Sequence, residues 1–192
     1  MKSLVLGSNS PRRKELLTQL GFAFQVRVNT IDETPPEAMT PELVAGYLAS
    51  KKNQAIERSA DEIVLTADTV VIRNGMLLGK PSNDKEAAEM LAALSNGKHQ
   101  VITGVCISAI HQVISFSSET IVTFNKLSPE DIRLYINKFK PADKAGAYGI
   151  QEWIGLAHIR SVEGSFYNVV GLPTDRVFEA LNTVFKLKPF NQ

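Results

Sequence analysis

The chain has 192 residues, with 21 lysines and arginines against 20 aspartates and glutamates, a formal net charge of +1 and an ordinary apolar share of 44%. That length is long for one compact domain and short for two, so a single α/β domain with two lobes over residues 1–192 is expected. The near-neutral balance, with no long basic run, argues against nucleic-acid and membrane-surface binding, and no stretch reaches the roughly 18 to 20 apolar residues of a membrane span. No signal-peptide core is evident, and the single cysteine, Cys106, lies in the apolar setting Val105-Cys106-Ile107, which reads as a buried, inert thiol. A cytoplasmic protein is expected.

In chain order, Ser3-Leu4-Val5-Leu6 reads as a buried strand and is followed by Gly7-Ser8-Asn9-Ser10-Pro11-Arg12-Arg13. Ser10 is placed to cap a helix whose first residue is Pro11, with Leu16, Leu17 and Leu20 apolar and Gly21 ending it. Arg12 and Arg13 then stand in the first turn, where the helix dipole disfavours cations. Free backbone N–H groups, serine hydroxyls and two guanidinium forks would converge there on a polyanion such as a nucleotide's phosphates. On this reading, removing either arginine weakens all nucleotides alike and leaves the free protein slightly more stable.

A proline-rich loop follows, carrying Asp32 and Glu33. Thr40-Pro41 opens a second helix with an apolar stripe of Leu43, Val44, Tyr47, Leu48, Ala55 and Ile56, interrupted by Lys51 and Lys52. The stem of Lys52 can run along the apolar face and bring its ammonium to a cleft or to solvent. Ile63 to Ile72 is the most apolar run in the chain and holds one carboxylate, Asp68. A charge inside a buried strand requires a partner, and a divalent cation, a helix N-terminus or an arginine would serve, the cation being favoured by the anion site upstream. Asn74-Gly75 predicts a hairpin turn returning through Met76-Leu77-Leu78, after which Gly79-Lys80-Pro81 places a lysine near a strand end.

Asn83 with Glu86 forms a capping box for a third helix, with Ala87, Met90, Leu91 and Leu94 inward and Gly97 as its stop. His99–Ile110 and Gln112–Phe124 predict an antiparallel pair, so the sheet is mixed; His99, His111 and His158 have no zinc-ligand spacing. Ser128-Pro129 starts a fourth helix with Ile132, Tyr135, Ile136 and Phe139 inward. In Asp143-Lys144-Ala145-Gly146-Ala147-Tyr148-Gly149-Ile150-Gln151 the glycines let backbone approach a ligand, with Tyr148 placed either to stack on a base or to pack, and Gln151 to pair with the base edge. Ile154–Val162 predicts a strand, Gly164–Pro173 a turn, strand and turn, and Thr174 to Phe185 a last helix.

The strings S-N-S-P-R-R-K-E-L-L (Ser8 to Leu17), A-D-T-V-V (Ala67 to Val71), G-K-P (Gly79 to Pro81), D-K-A-G-A-Y-G-I-Q (Asp143 to Gln151) and G-S-F-Y-N-V-V-G-L-P (Gly164 to Pro173) resemble, in order and spacing, those of the Maf proteins. Members of that family are nucleoside triphosphate pyrophosphatases once described as septum-formation inhibitors, and Y-G-I-Q resembles the branch acting on dTTP and UTP. The resemblance implies an α/β architecture of two lobes around an elongated, curved mixed sheet, akin to inosine triphosphatases, with a central nucleotide cleft and often a homodimer. Where that branch usually continues with glycines, this chain has Glu152-Trp153-Ile154-Gly155.

The implied reaction converts a nucleoside triphosphate to the monophosphate and pyrophosphate, a nucleotide-pool sanitising role that extends to modified pyrimidine nucleotides. Arg12, Arg13, Lys52 and Lys80 are the expected phosphate ligands, Ser8 and Thr69 further substrate contacts, and Gln151 the reader of the base. Glu33 and Asp68 are expected to hold Mg²⁺, with Mn²⁺ and Co²⁺ as alternatives, and Asp68 also to accept the proton of the attacking water. The competing readings are a non-catalytic nucleotide-binding regulator of septum formation and a sugar-nucleotide or phosphosugar enzyme.

Overall fold

The structure, a computed structural model, describes residues 2–190. Its elements run β1 (Ser3–Leu6), α1 (Pro11–Gln19), β2 (Phe24–Val26), α2 (Pro41–Gln54), β3 (Glu62–Arg73), β4 (Met76–Leu78), α3 (Asp84–Leu94), β5 (Lys98–Ala109), β6 (Gln112–Phe124) and α4 (Pro129–Phe139). Two short 3₁₀ turns, Pro141–Asp143 and Ala145–Ala147, lead to α5 (Trp153–His158), β7 (Ile159–Glu163), α6 (Phe166–Val170) and α7 (Thr174–Glu179), which continues as a π-helical turn over Ala180–Val184. Among the described residues, seven strands form one sheet in the order β2-β1-β3-β5-β6-β7, with β4 paired to β3. The sheet is mixed as expected: β1 lies parallel to β2 and β3, whereas β3/β4 and β6/β7 are antiparallel.

Packing divides the chain into two compact units, Met1–Asp68 with Thr103–Ser118 and Gly171–Gln192, and Thr69–Ile102 with Glu119–Val170. In the first, Leu4, Val5, Leu6, Ile63, Val64 and Leu65 are buried on paired parallel strands. Helix α2 covers them with Val44, Ala45, Leu48 and Ala49. The expected stripe is misplaced at one end, since Leu43 is 62% exposed and the buried set begins at Val44. A Cβ added at Gly104 would stand 2.4 Å from the backbone of Ala45 and Gly46, so only glycine lets α2 lie this close to β5. Buried Asn53 fastens the last turn of α2, donating to the carbonyls of Val64 (3.0 Å) and Cys106 (3.2 Å) and accepting from Ser108 Oγ at 2.6 Å. Cys106 is buried, as expected.

In the second unit, positive φ at Asn74 (51°) and Gly75 (75°) makes the predicted hairpin turn of the primed kind. Asn83 Oδ1 caps α3 by accepting from Glu86 N–H at 2.9 Å, but the Glu86 carboxylate accepts from Ser82 instead of closing the box onto Asn83. Helix α3 ends at Leu94, before the predicted stop at Gly97, with the left-handed residue at Asn96 (φ 50°). The region after Gln151 departs most from expectation. Ile154–Val162 is helical through His158 and extended only as β7, while Gly164–Pro173 contains α6 in place of a strand. The Glu152 carbonyl accepts from Gly155 and Leu156 N–H (2.9 and 3.2 Å), which starts α5, and Ser165 Oγ accepts from Asn168 N–H at 3.3 Å at the start of α6. Asn168 is fully buried, its amide donating to the Val101 carbonyl and Thr120 Oγ1, both at 3.0 Å.

Tyr148 does not present its ring for stacking on a base. It is buried against Phe124, at 5.0 Å between ring centroids, with its hydroxyl 2.7 Å from His99 Nε2. Burial pulls His99 down from its ordinary 6.5 to about 4, with Arg73 adding to the effect. The unfolded chain therefore binds a proton that the folded chain refuses between those values, so the stability this neutral histidine contributes is present above pH 6.5 and is lost as pH falls toward 4. The loss is expected to reach about 3 kcal/mol. His99→Gln, which keeps a polar group toward Tyr148 but does not titrate, is expected to flatten that part of the curve, measured by urea unfolding from pH 7 to 4.

Candidate active site

The first unit gathers most of the residues singled out in the sequence. After β1 the chain turns through Ser8, whose hydroxyl accepts from Ser10 N–H at 3.2 Å, and Ser10 in turn caps α1 by accepting from Arg13 N–H at 3.5 Å. The expected first helical residue and cap are thus observed. Arg12 and Arg13 follow in the first turn, both half-buried. The Arg13 guanidinium donates through Nε to the Gly171 carbonyl at 2.9 Å and through one terminal nitrogen to Ser8 Oγ at 3.2 Å. Burial lowers its pKa, opposed by the charges of Asp68 and Glu33 and reinforced by that of Arg12. The expected gain in stability on removing Arg13 is therefore corrected: the guanidinium ties α1 to the start of the C-terminal segment.

Asp68 finds its counter-charge in Lys52, whose Nζ lies 2.6 Å from Asp68 Oδ1 and 3.0 Å from Glu33 Oε2. The lysine thus draws two carboxylates from distant parts of the chain onto one point. Its place is fixed by the neighbouring Asn53, described above, and by Thr66 Oγ1, which donates to the Ala49 carbonyl at 2.7 Å. The Glu33 loop is tied down at its start: Arg27 forks onto Glu62 (2.7 and 2.9 Å), and Asn29 Nδ2 donates to the Ala55 carbonyl just past the end of α2. Asp32 stays exposed, accepting from Thr34 N–H at 2.9 Å, with Lys51 4.0 Å away.

Among the described residues, no three or more His, Cys, Asp or Glu side chains are grouped so as to hold a metal ion by themselves. Glu33 and Asp68 nevertheless fit a divalent cation of the Mg²⁺ class, which takes hard oxygen donors and uses one or two carboxylates alongside phosphate oxygens and water. Their convergence on one ammonium shows that both carboxylates reach a common cationic position.

The second unit holds Thr69, half-buried on β3, and the exposed Lys80 and Gln151. Lys80 follows Gly79, whose carbonyl accepts from Gly146 N–H at 3.0 Å, so the G-K-P and D-K-A-G-A-Y-G-I-Q strings are in direct contact. Gln151 sits at the corner of a turn closed by Glu152 N–H donating to the Gly149 carbonyl at 3.0 Å. Sequence reasoning missed the Gly171 carbonyl as the anchor of Arg13, although the G-L-P string that contains it is one of the five motifs. It also missed the polar groups beneath the Gln151 turn, for which the departure at Glu152 was the available signal.

With this geometry in place, the profile described as Maf-like protein matches residues 3–184, and the chain belongs to the Maf family. Its relatives include a dTTP/UTP pyrophosphatase of Phocaeicola vulgatus, 47% identical over 181 residues that cover 93% of this chain and 94% of that protein. A dTTP/UTP pyrophosphatase of Porphyromonas gingivalis is 49% identical over 183 residues, 93% of this chain and 92% of the relative. Among solved structures, the Staphylococcus aureus Ham1 protein superposes with a TM-score of 0.45 at 16% identity, over 64% of this chain and 72% of that one. No helix among the described residues is long and apolar enough to cross a membrane.

Proposed function

We propose that this protein hydrolyses dTTP and UTP to the monophosphate and pyrophosphate, and so removes such nucleotides, modified pyrimidine forms included, from the nucleotide pool. The observation that carries the reading is the pair of carboxylates, Glu33 and Asp68, held on Lys52 in the same unit as the Ser8–Arg13 turn. The names and high identity of the relatives support the substrate class.

Attack at phosphorus cleaves the α–β anhydride, and catalysis consists mainly of positioning and of neutralising charge on the phosphoryl oxygens. Arg12, Arg13 and Lys52 supply positive charge to the triphosphate, Ser8 supplies a hydroxyl, and Lys80 and Thr69 are further contacts. Asp68 takes the proton of the attacking water as the pyrophosphate leaves with the electron pair of the broken bond. A divalent cation held by Glu33 and Asp68, Mg²⁺ with Mn²⁺ or Co²⁺ as substitutes, offsets the developing negative charge when bound.

Gln151 reads the base. Uracil and thymine present a ring N–H donor beside carbonyl acceptors, and a primary amide complements that edge with one acceptor and one donor. A site that pairs with a polar edge discriminates by leaving its own groups unpaired against the wrong ligand, at roughly 1 to 3 kcal/mol per group. Gln151→Ala is expected to lose activity mainly on UTP and dTTP and to narrow their advantage over CTP and GTP, read as kcat/KM for each nucleotide. Unchanged ratios would remove Gln151 from base selection.

A further inference from the structure

The turn that carries Gln151 rests on a buried polar cluster that no phosphate or metal role uses. Tyr135 of α4 is fully buried and stacked on Phe139 at 5.1 Å between centroids. Its hydroxyl accepts from Gly149 N–H at 2.9 Å and donates to Glu152 Oε2. One hydroxyl thereby fastens both ends of the four-residue turn Gly149-Ile150-Gln151-Glu152. The other Glu152 oxygen lies 3.2 Å from Nζ of Lys144, which is only 7% exposed and also meets Asp143 at 2.8 Å. A Cβ at Gly149 would come within 2.8 Å of the Glu152 carboxyl carbon, so the carboxylate fills the space a side chain there would need.

Stability is a poor account of this arrangement. A buried ion pair is often no better than apolar residues of the same volume, because desolvation offsets its attraction. What it does provide is direction, since Ile150 is buried between the two fastened ends and Gln151 alone projects outward. A backbone fastened on both sides of Gln151 fixes where its amide can reach, so the two hydrogen bonds to a uracil edge form with less ordering cost.

We propose that Tyr135, Glu152 and Lys144 form a clamp that positions Gln151, and that this clamp sets the preference for uracil and thymine nucleotides over cytosine nucleotides. The inference rests on the base-reading role of Gln151.

The test is kcat/KM for UTP, dTTP and CTP in wild type, Tyr135→Phe, Glu152→Ala, Glu152→Gln, Gln151→Ala and the double variant Tyr135→Phe with Gln151→Ala. Tyr135→Phe and Glu152→Ala are each expected to lower the UTP-to-CTP ratio about fivefold, the scale of one hydrogen bond, while CTP turnover stays within about twofold of wild type. Glu152→Gln, whose amide oxygen still accepts from Tyr135, retains most of the ratio. In the Gln151→Ala background, Tyr135→Phe is expected to change the ratio no further, because the clamp acts through Gln151. If Gln151→Ala lowers the ratio while Tyr135→Phe and Glu152→Ala leave it at the wild-type value, the clamp is overturned and Gln151 stands. If Gln151→Ala leaves it unchanged, the base-reading role falls and takes the clamp with it. Should Tyr135→Phe fail to fold, Glu152→Ala against Gln151→Ala decides the matter alone.

Discussion

Asp68→Asn is expected to lower turnover on UTP and dTTP by at least about 10²-fold, the low end of what a positioned general base contributes, with the fold intact. The variant keeps the shape of the side chain, and its amide oxygen can still accept from the Lys52 ammonium that now sits 2.6 Å from Asp68 Oδ1. Lys52 also retains Glu33 at 3.0 Å, so no cation is stranded. What disappears is the negative charge that, in the proposed mechanism, takes a proton and, with Glu33, would hold a divalent cation. Steady-state turnover beside a thermal melt checks both halves of this statement. Near wild-type turnover in a protein that melts normally would end the catalytic role of Asp68.

Arg13→Ala is expected to cost both affinity and stability. The guanidinium donates to the Gly171 carbonyl and to Ser8 Oγ, and it stands among the charges of Asp68, Glu33 and Arg12. Removing it leaves the Gly171 carbonyl without that donor in a buried setting, a loss of about 1 to 3 kcal/mol by denaturant unfolding. Against nucleotides, losing one charge-assisted contact to phosphate is expected to lower kcat/KM by about 10- to 10²-fold, equally for every base. Arg13→Lys is not expected to restore stability, because an ammonium cannot span the carbonyl and the hydroxyl as a planar fork does. A variant as stable as wild type would show that the Gly171 contact carries no weight.

The first unit was the more legible in sequence because its signals are local. Ser10 and Pro11 state where α1 begins, and the charge of Asp68 is conspicuous inside Ile63–Ile72. The partner of Asp68 was harder to read, because Lys52 lies 16 positions away on another element and its stem is equally suited to solvent. Arg13 misled for a similar reason: the dipole argument sees only its own helix, whereas its fork reaches 158 positions along the chain to Gly171. After Gln151, short apolar runs such as Ile154–Leu156 and Val169-Val170 fit a strand or a helix equally, and backbone N–H donation to the Glu152 carbonyl and to the Ser165 hydroxyl oxygen decides for helix. Tyr148 could not be placed from its glycine neighbours, because what settles it is His99 on β5.

Cleavage of the α–β anhydride is the central step proposed for this site, and its most direct measurement is the identity of the products. UTP incubated with the protein and Mg²⁺, followed by phosphorus NMR, is expected to yield UMP and pyrophosphate in equal amounts, and the same sample with Asp68→Asn to remain almost unchanged over that time. Release of inorganic phosphate with UDP, or saturable UTP binding with no cleavage in the wild-type protein, would contradict it.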